Sequence, residues 1–342
     1  MSVQLSEIFS CKNLILAYRK CSANAKKSAE FIEFKKNFMY RLKCIEHNFA
    51  KGILPEIIYY QFTITQPKLR VIDATTFELR VIQACYCEFY LYDKLKPFYI
   101  EESSACQIGK GTFHAIEKVE QYMIKRAKES NVNFWALKCD IEGFFKNIDK
   151  ETLKEMLKIL PEEDGIRLLF YFINSFKGKG LPLGNRTSQL TALYYLKDID
   201  VLVTKTLSLE YSRYADDFII FGDTKEILID CLNEINDIIV NKLHLRLNAK
   251  TSIFPISNSL TYLGWKFFYG KNNRVIKTLS KERKIRARKK FKELLYTKNG
   301  EGLISWKAHL DHGYTHNFIK HLVETYQDDF NSSFASMGLT YA

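Results

Sequence analysis

Two adjacent acids, Asp216 and Asp217, lie in the tetrapeptide Tyr214-Ala215-Asp216-Asp217, between a short apolar lead-in and the apolar run Phe218-Ile219-Ile220-Phe221. The flanking runs read as β-strands and the tetrapeptide as the tight turn joining them. A hairpin with two like charges at its tip repels itself, and the one local counter-charge in the sequence is Arg213. A divalent cation resolves the repulsion. Mg²⁺ takes one or two protein carboxylates and completes its shell with substrate phosphates. The turn therefore points to a two-metal phosphoryl-transfer site. An Asp-Asp turn is also a common solvated surface feature, so the rest of the chain has to decide.

The chain has 342 residues, 46% of them hydrophobic, enough for a large core split into two or three lobes. Its 51 Lys and Arg outnumber 39 Asp and Glu, for a net charge of +12. Such a field favours polyanions, with nucleic acid first and an anionic membrane second. No apolar stretch approaches the roughly 20 residues of a spanning helix, and Met1–Tyr18 lacks a signal-peptide core and cleavage site. The eight cysteines are scattered, with Cys85 and Cys87 the one close pair, which fits free thiols in a reducing cytosol better than zinc or disulfides.

Residues 1–60 read as helical and basic. Tyr59 to Asp73 reads as a hairpin turning at Gln66-Pro67-Lys68, and Thr75 to Tyr92 returns to helical spacing. Gly109-Lys110-Gly111 opens a helix from Thr112 to about Arg126. Phe134 to Ile141 reads as a buried strand ending at Asp140. Asp149 caps a helix Lys150–Leu160. The Gly178–Gly184 loop leads into a long helix from about Thr187 to Leu207. After the acidic hairpin comes a helix Lys225–Lys242, then a strand-rich piece from Leu247 to Phe268. Lys281 to Lys292 holds eight Lys or Arg in twelve positions.

Asp140 at a strand end and Asp216-Asp217 at a hairpin tip are the acids that two adjacent strands can bring to a pair of metals. The Gly180-Leu-Pro-Leu-Gly184-Asn-Arg-Thr-Ser-Gln189 segment has the glycines that let backbone approach a ligand. In order and spacing, Asp140-Ile-Glu-Gly-Phe-Phe, Leu-Pro-Leu-Gly-Asn-Arg-Thr-Ser-Gln and Tyr-Ala-Asp-Asp resemble the reverse transcriptases. Lys68-Leu-Arg70-Val-Ile, Leu247-Asn-Ala-Lys250-Thr and Leu263-Gly264-Trp265 resemble that family's fingers, general-acid and primer-grip elements. The form is that of the bacterial group related to group II intron enzymes. It is most similar to the enzymes of diversity-generating retroelements, whose Gly-x-x-x-Ser-Gln matches Gly184–Gln189. Asn13-Leu-Ile-Leu-Ala-Tyr-Arg-Lys and Ser305-Trp306-Lys-Ala-His309 with Thr315-His316-Asn317 resemble the ends of those enzymes. Gln107 departs from the family's usual cation before Gly109, and Ala215 stands where Met is common.

The resemblance implies an α+β right-hand polymerase fold with an antiparallel-sheet palm. Its expected parts are a helical extension (1–60), fingers (61–130, with part of 150–190), palm (131–270) and helical thumb (271–342). It implies RNA-directed DNA synthesis with two Mg²⁺ ions, Mn²⁺ being a substitute. Asp140, Asp216 and Asp217, with the Ile141 backbone, would hold the metals. Lys250 would act as general acid. Lys68, Arg70, Phe144, Phe145, Leu183, Gly184 and Gln189 would surround the incoming dNTP, with the Phe145 ring excluding a ribose 2′-OH. Leu263 and Gly264 would grip the primer. Lys281, Arg283, Lys284, Arg286, Arg288, Lys289 and Lys290 would follow the duplex backbone. The partners implied are template RNA, RNA/DNA hybrid and a small basic helical accessory protein, in a bacterial or phage-encoded cytoplasmic setting without a membrane. His309, His312, His316 and His321 read as structural or RNA-facing. No RNase H, nuclease or maturase segment is expected. Two other readings are an anti-phage defence reverse transcriptase with the same core, and an idle RNA-binding scaffold. Three mutually repelling acids argue against the scaffold.

Overall fold

A computed structural model describes residues 3–23, 25, 28–65, 69–129 and 131–335. The fold is α+β. Among the described residues, strands β1 (Tyr59–Ile64) and β2 (Arg70–Thr75) pair antiparallel, from Tyr59 opposite Thr75 to Ile64 opposite Arg70. Strands β3 (Trp135–Cys139), β4 (Glu210–Tyr214), β5 (Asp217–Gly222) and β6 (Ser252–Pro255) form one sheet in the order β4-β5-β3-β6. Strands β7 (Leu260–Tyr262), β8 (Trp265–Tyr269) and β9 (Val275–Leu279) form an antiparallel meander. The turn expected at Gln66-Pro67-Lys68 lies outside the described residues.

The chain divides into two compact units. The first contains Met1–Gly111, Lys138–Ile219 and Ile229–Ser252; the second contains Thr112–Leu137, Ile220–Leu228 and Ile253–Ala342. In the first, aromatic side chains bind the N-terminal helices to the helix Phe77–Tyr86. Tyr18 stacks on Phe38 at 4.9 Å, and Phe31 and Phe34 meet the Phe77 ring edge-on at 5.1 and 5.2 Å. Each such pair adds about 0.5–1.5 kcal/mol beyond its buried area. In the second, Phe291, Leu294, Leu295, Leu303, Leu322 and Phe330 close a small helical core.

Most expected elements form where their patterns place them. The helix after Gly111 is Thr112–Lys128, and Lys150–Leu157 is capped by Asp149, whose Oδ1 accepts from the Thr152 N–H at 2.7 Å. The helix expected from Thr187 to Leu207 is interrupted. Arg186–Tyr195 ends at Leu196 (φ −95°, ψ 6°), Lys197–Val201 follows, and a π-turn covers Leu202–Thr206. No Gly or Pro marks the break. Its effect is to swing Asp200 into the interior, where its side chain is 1% exposed.

Candidate active site

The β4–β5 turn holds the two acids. Ala215 takes φ +57°, a left-handed conformation that costs a non-glycine residue about 1–2 kcal/mol. Tyr214, Ala215, Asp216 and Asp217 are half-buried, while Phe218–Phe221 behind them are fully buried and anchor the hairpin. Arg213, the cation next to the tip in sequence, is directed inward. Its side chain is wholly buried and forms a two-pronged pair with Asp200, while Nη1 donates to the Ala215 carbonyl at 3.0 Å. Lys138 on β3 lies 3.9 Å from Asp217 Oδ1.

Asp140 follows directly after β3. Three backbone contacts fix this point. The Asn248 N–H donates to the Asp140 carbonyl at 2.8 Å, Ile141 bridges Leu247 antiparallel, and the Glu142 N–H donates to the Arg246 carbonyl at 2.9 Å. Burial pushes the Cys139 thiol up, with Cys231, Asp217 and Asp140 adding to the rise. β5 lies beside β3 in the sheet, and Lys138 near the end of β3 meets Asp217 at the start of β5, so Asp140 and the hairpin acids stand at the ends of neighbouring strands. Lys250 is exposed, two residues beyond this zipper, and its N–H is held by Asn248 Oδ1 at 3.1 Å in an Asx-type turn.

Among the described residues, no group of three or more His, Cys, Asp or Glu closes round a metal by itself. Mg²⁺ takes one or two protein carboxylates and completes its shell with water and substrate phosphates, which is the donor chemistry that Asp140 and the hairpin acids offer.

The Leu181–Gln189 segment lies against both the Asp140 turn and the β1–β2 hairpin. The Leu181 N–H donates to the Phe145 carbonyl at 2.8 Å. A Cβ on Gly180 (φ +72°) would stand 2.2 Å from that same carbonyl oxygen, so the approach requires glycine. The Leu183 carbonyl accepts from the Asp73 N–H at 3.1 Å, and Asn185 donates to the Tyr59 hydroxyl at 3.2 Å. Phe144 is buried, at 3% exposure, whereas Phe145 beside it is half-exposed. The expected pair of dNTP-facing aromatics is therefore one core residue and one that reaches the surface. Leu183 and Gln189 are half-buried, and Gly184 and Arg70 exposed. Lys68 lies outside the described residues.

In the second unit, Leu263 (φ +47°) and Gly264 (φ +83°) form the β7–β8 turn. Arg283 holds it. Its Nη1 donates to the Leu263 carbonyl at 3.0 Å, its guanidinium lies 4.7 Å over the buried Trp265 ring, and its Nη2 meets His309 Nε2. Burial, then Arg283 and His312, push the His309 imidazole below its usual range. Arg283 thus has an internal task. Arg286, Arg288, Lys289 and Lys290 line the exposed side of the Lys281–Tyr296 helix with Lys281, and Lys284 is half-exposed. His309 and His312 pack on Phe113, with centroids at 5.1 and 4.0 Å.

Sequence reasoning did not single out Asp200, Tyr211 or Tyr59, and it quoted Asn185 and Asn248 only inside motifs, without a role of their own. The one signal available was Arg213, a cation within the strand that leads into the acidic turn.

Residues 65–267 match the reverse transcriptase (RNA-dependent DNA polymerase) family, and the chain belongs to that family. No curated protein matches it in sequence. Among solved structures, it is similar to apo telomerase from Candida tropicalis truncated from the C-terminal domain (14% identity, TM-score 0.46, 67% of this chain and 58% of that one). It is also similar to telomerase from Candida albicans in complex with a fragment of telomeric RNA (11% identity, TM-score 0.49, 86% of this chain and 61% of that one). The chain thus spans about three fifths of the length of these telomerases. No described helix is long and apolar enough to cross a membrane.

Proposed function

We propose that the chain is an RNA-directed DNA polymerase that synthesises cDNA on an RNA template. The observation that supports this reading is the position of Asp140, at the end of β3, and of Asp216-Asp217, at the turn into the neighbouring strand β5, in a chain of the reverse transcriptase family. In the reaction, the primer 3′-hydroxyl gives its proton to solvent water and its oxygen bonds to the α-phosphorus of a dNTP. The α–β phosphoanhydride bond breaks and pyrophosphate leaves. Two Mg²⁺ ions, when bound, lower the pKa of the attacking hydroxyl and neutralise charge on the phosphates. Asp140, the Ile141 carbonyl and Asp216 are the residues to hold them, with Asp217 setting charge and geometry at the tip. Lys68 and Arg70 grip the triphosphate, Arg70 as a two-pronged donor. Phe145 closes the sugar pocket against a 2′-OH, and Leu183, Gly184 and Gln189 line the base. Lys250 protonates departing pyrophosphate. Leu263 and Gly264 seat the primer end, and the Lys281–Tyr296 helix follows the duplex.

The setting is a cytoplasmic, diversity-generating retroelement, in which a template-repeat RNA is copied with errors alongside a small basic helical accessory protein. The Gly184–Gln189 pattern and the matching chain ends support this. Primer extension on a defined RNA template with Mg²⁺ and dNTPs, followed by product sequencing, tests it. Errors concentrated opposite template adenines are expected. Accurate, repetitive or template-free products would leave a polymerase but replace gene diversification with phage defence. A folded protein that extends no primer, with or without RNA and protein partners, would overturn the polymerase reading.

A further inference from the structure

The Arg213–Asp200 pair has no part in the reaction as drawn, yet it is built to an unusual standard. The two side chains are 0% and 1% exposed. Arg213 Nε donates to Asp200 Oδ1 at 2.7 Å and Nη2 to Oδ2 at 2.5 Å, and the Tyr211 hydroxyl donates to Oδ1 at 2.9 Å. A guanidinium gripped at two nitrogens by one carboxylate has its plane fixed. Its remaining nitrogen, Nη1, donates to the Ala215 carbonyl at 3.0 Å. Arg213 is secured through its backbone as well. Its N–H donates to the Glu102 carbonyl and its own carbonyl accepts from the Ser104 N–H, both at 2.9 Å.

The carbonyl that Nη1 holds belongs to the peptide joining Ala215 to Asp216. That unit is planar, so fixing its oxygen fixes the direction in which the Asp216 Cα leaves the turn. Ala215 is in the left-handed region, and such a residue stays there only where its surroundings over-determine it. A buried ion pair is weak evidence for net stability, because desolvation offsets the attraction. A role in geometry accounts for it better. Asp200 lies on Lys197–Val201, which continues from the Arg186–Tyr195 helix; Arg213 Nη2 also reaches the Leu193 carbonyl of that helix at 3.4 Å. The tip is thereby tied to the helix that begins in the Gly184–Gln189 segment.

We infer that Arg213 is a positioning residue for the acidic tip: held by Asp200, it sets the Ala215–Asp216 peptide so that Asp216 projects correctly for metal-dependent nucleotide addition. This rests on the polymerase reading above. Two variants test it. Arg213→Lys keeps the charge and loses the fork. Arg213→Gln with Asp200→Asn removes both charges together, keeps the shape of the Asp200 side chain, and leaves a shorter amide in place of the Nη1 donor to the Ala215 carbonyl. Thermal unfolding, template–primer affinity, single-turnover dNTP incorporation and the Mg²⁺ concentration at half-maximal rate are measured in each. The expected result is a folded variant with wild-type template–primer affinity, incorporation slowed by roughly tenfold to a hundredfold, as for an ångström-scale misplacement, and a raised Mg²⁺ midpoint. A folded variant with the wild-type rate and Mg²⁺ midpoint overturns the inference. So does unfolding of both variants, which would assign the pair to stability alone. An inactive wild type removes the polymerase reading and this inference with it, whereas an active wild type matched by its variants removes this inference only.

Discussion

Phe144 and Phe145 are neighbours in the chain and differ in surroundings. The first is buried and meets the second edge-on at 5.5 Å; the second keeps part of its ring at the surface while its carbonyl is bound by Leu181. The family resemblance singles out Phe145 as the gate, but which of the two rings is buried depends on the backbone after the Gly143 turn (φ +54°), which composition does not show. Phe145 is thus the better candidate for the sugar gate. Phe145→Ala is expected to lower discrimination between dNTP and rNTP by at least about tenfold, read from the ratio of kcat/KM values. Unchanged discrimination would return Phe145 to simple packing. The acids themselves were legible because like charges at a hairpin tip demand an explanation. The partner of Arg213 was not, since Asp200 looks like an ordinary helical acid until the break at Leu196 turns it inward.

Elements were legible where a local signal exists. Asp149 ahead of Lys150–Leu157 is such a signal, and its carboxylate caps the helix. Asp149→Ala is expected to cost about 1 kcal/mol. The Thr152 N–H holds the Asp149 carboxyl below its ordinary 3.8. A carboxyl with a depressed folded pKa stabilises above the unfolded value, and that stability is lost as pH falls through the folded one. The difference in Tm between wild type and Asp149→Ala should therefore be full at neutral pH and shrink below pH 3.8. A difference that grows on acidification would contradict the assignment. The interrupted helix after Arg186 was illegible, since its residues keep helical periodicity through the break and only tertiary packing selects it.

Across the whole molecule, the net charge of +12 proposes a polyanionic partner without saying where it lies. The family match ends at residue 267, before the Lys281–Tyr296 helix begins. Of the cations there, Arg283 is committed to the Leu263 carbonyl and the Trp265 ring, so the proposed phosphate contacts are assigned to its exposed neighbours. The triple variant Lys281→Ala, Arg286→Ala, Lys289→Ala is expected to reduce the slope of log affinity against log salt for an RNA/DNA hybrid by roughly 2–3. An unchanged slope would remove this helix from the nucleic-acid interface. The joining of Asp140 to Asn248 was invisible in sequence, because it depends on a long-range backbone pairing that no local pattern encodes. The claim on which the rest depends is that Asp140 and Asp216 act together at one catalytic centre. Single-turnover incorporation by Asp140→Asn and Asp216→Asn, measured beside template–primer affinity, tests it most directly. Each variant should bind template–primer as the wild type does and lose about a thousandfold in rate, equivalent to about 4 kcal/mol of transition-state stabilisation. A folded variant of either residue that retains the wild-type rate would contradict the account.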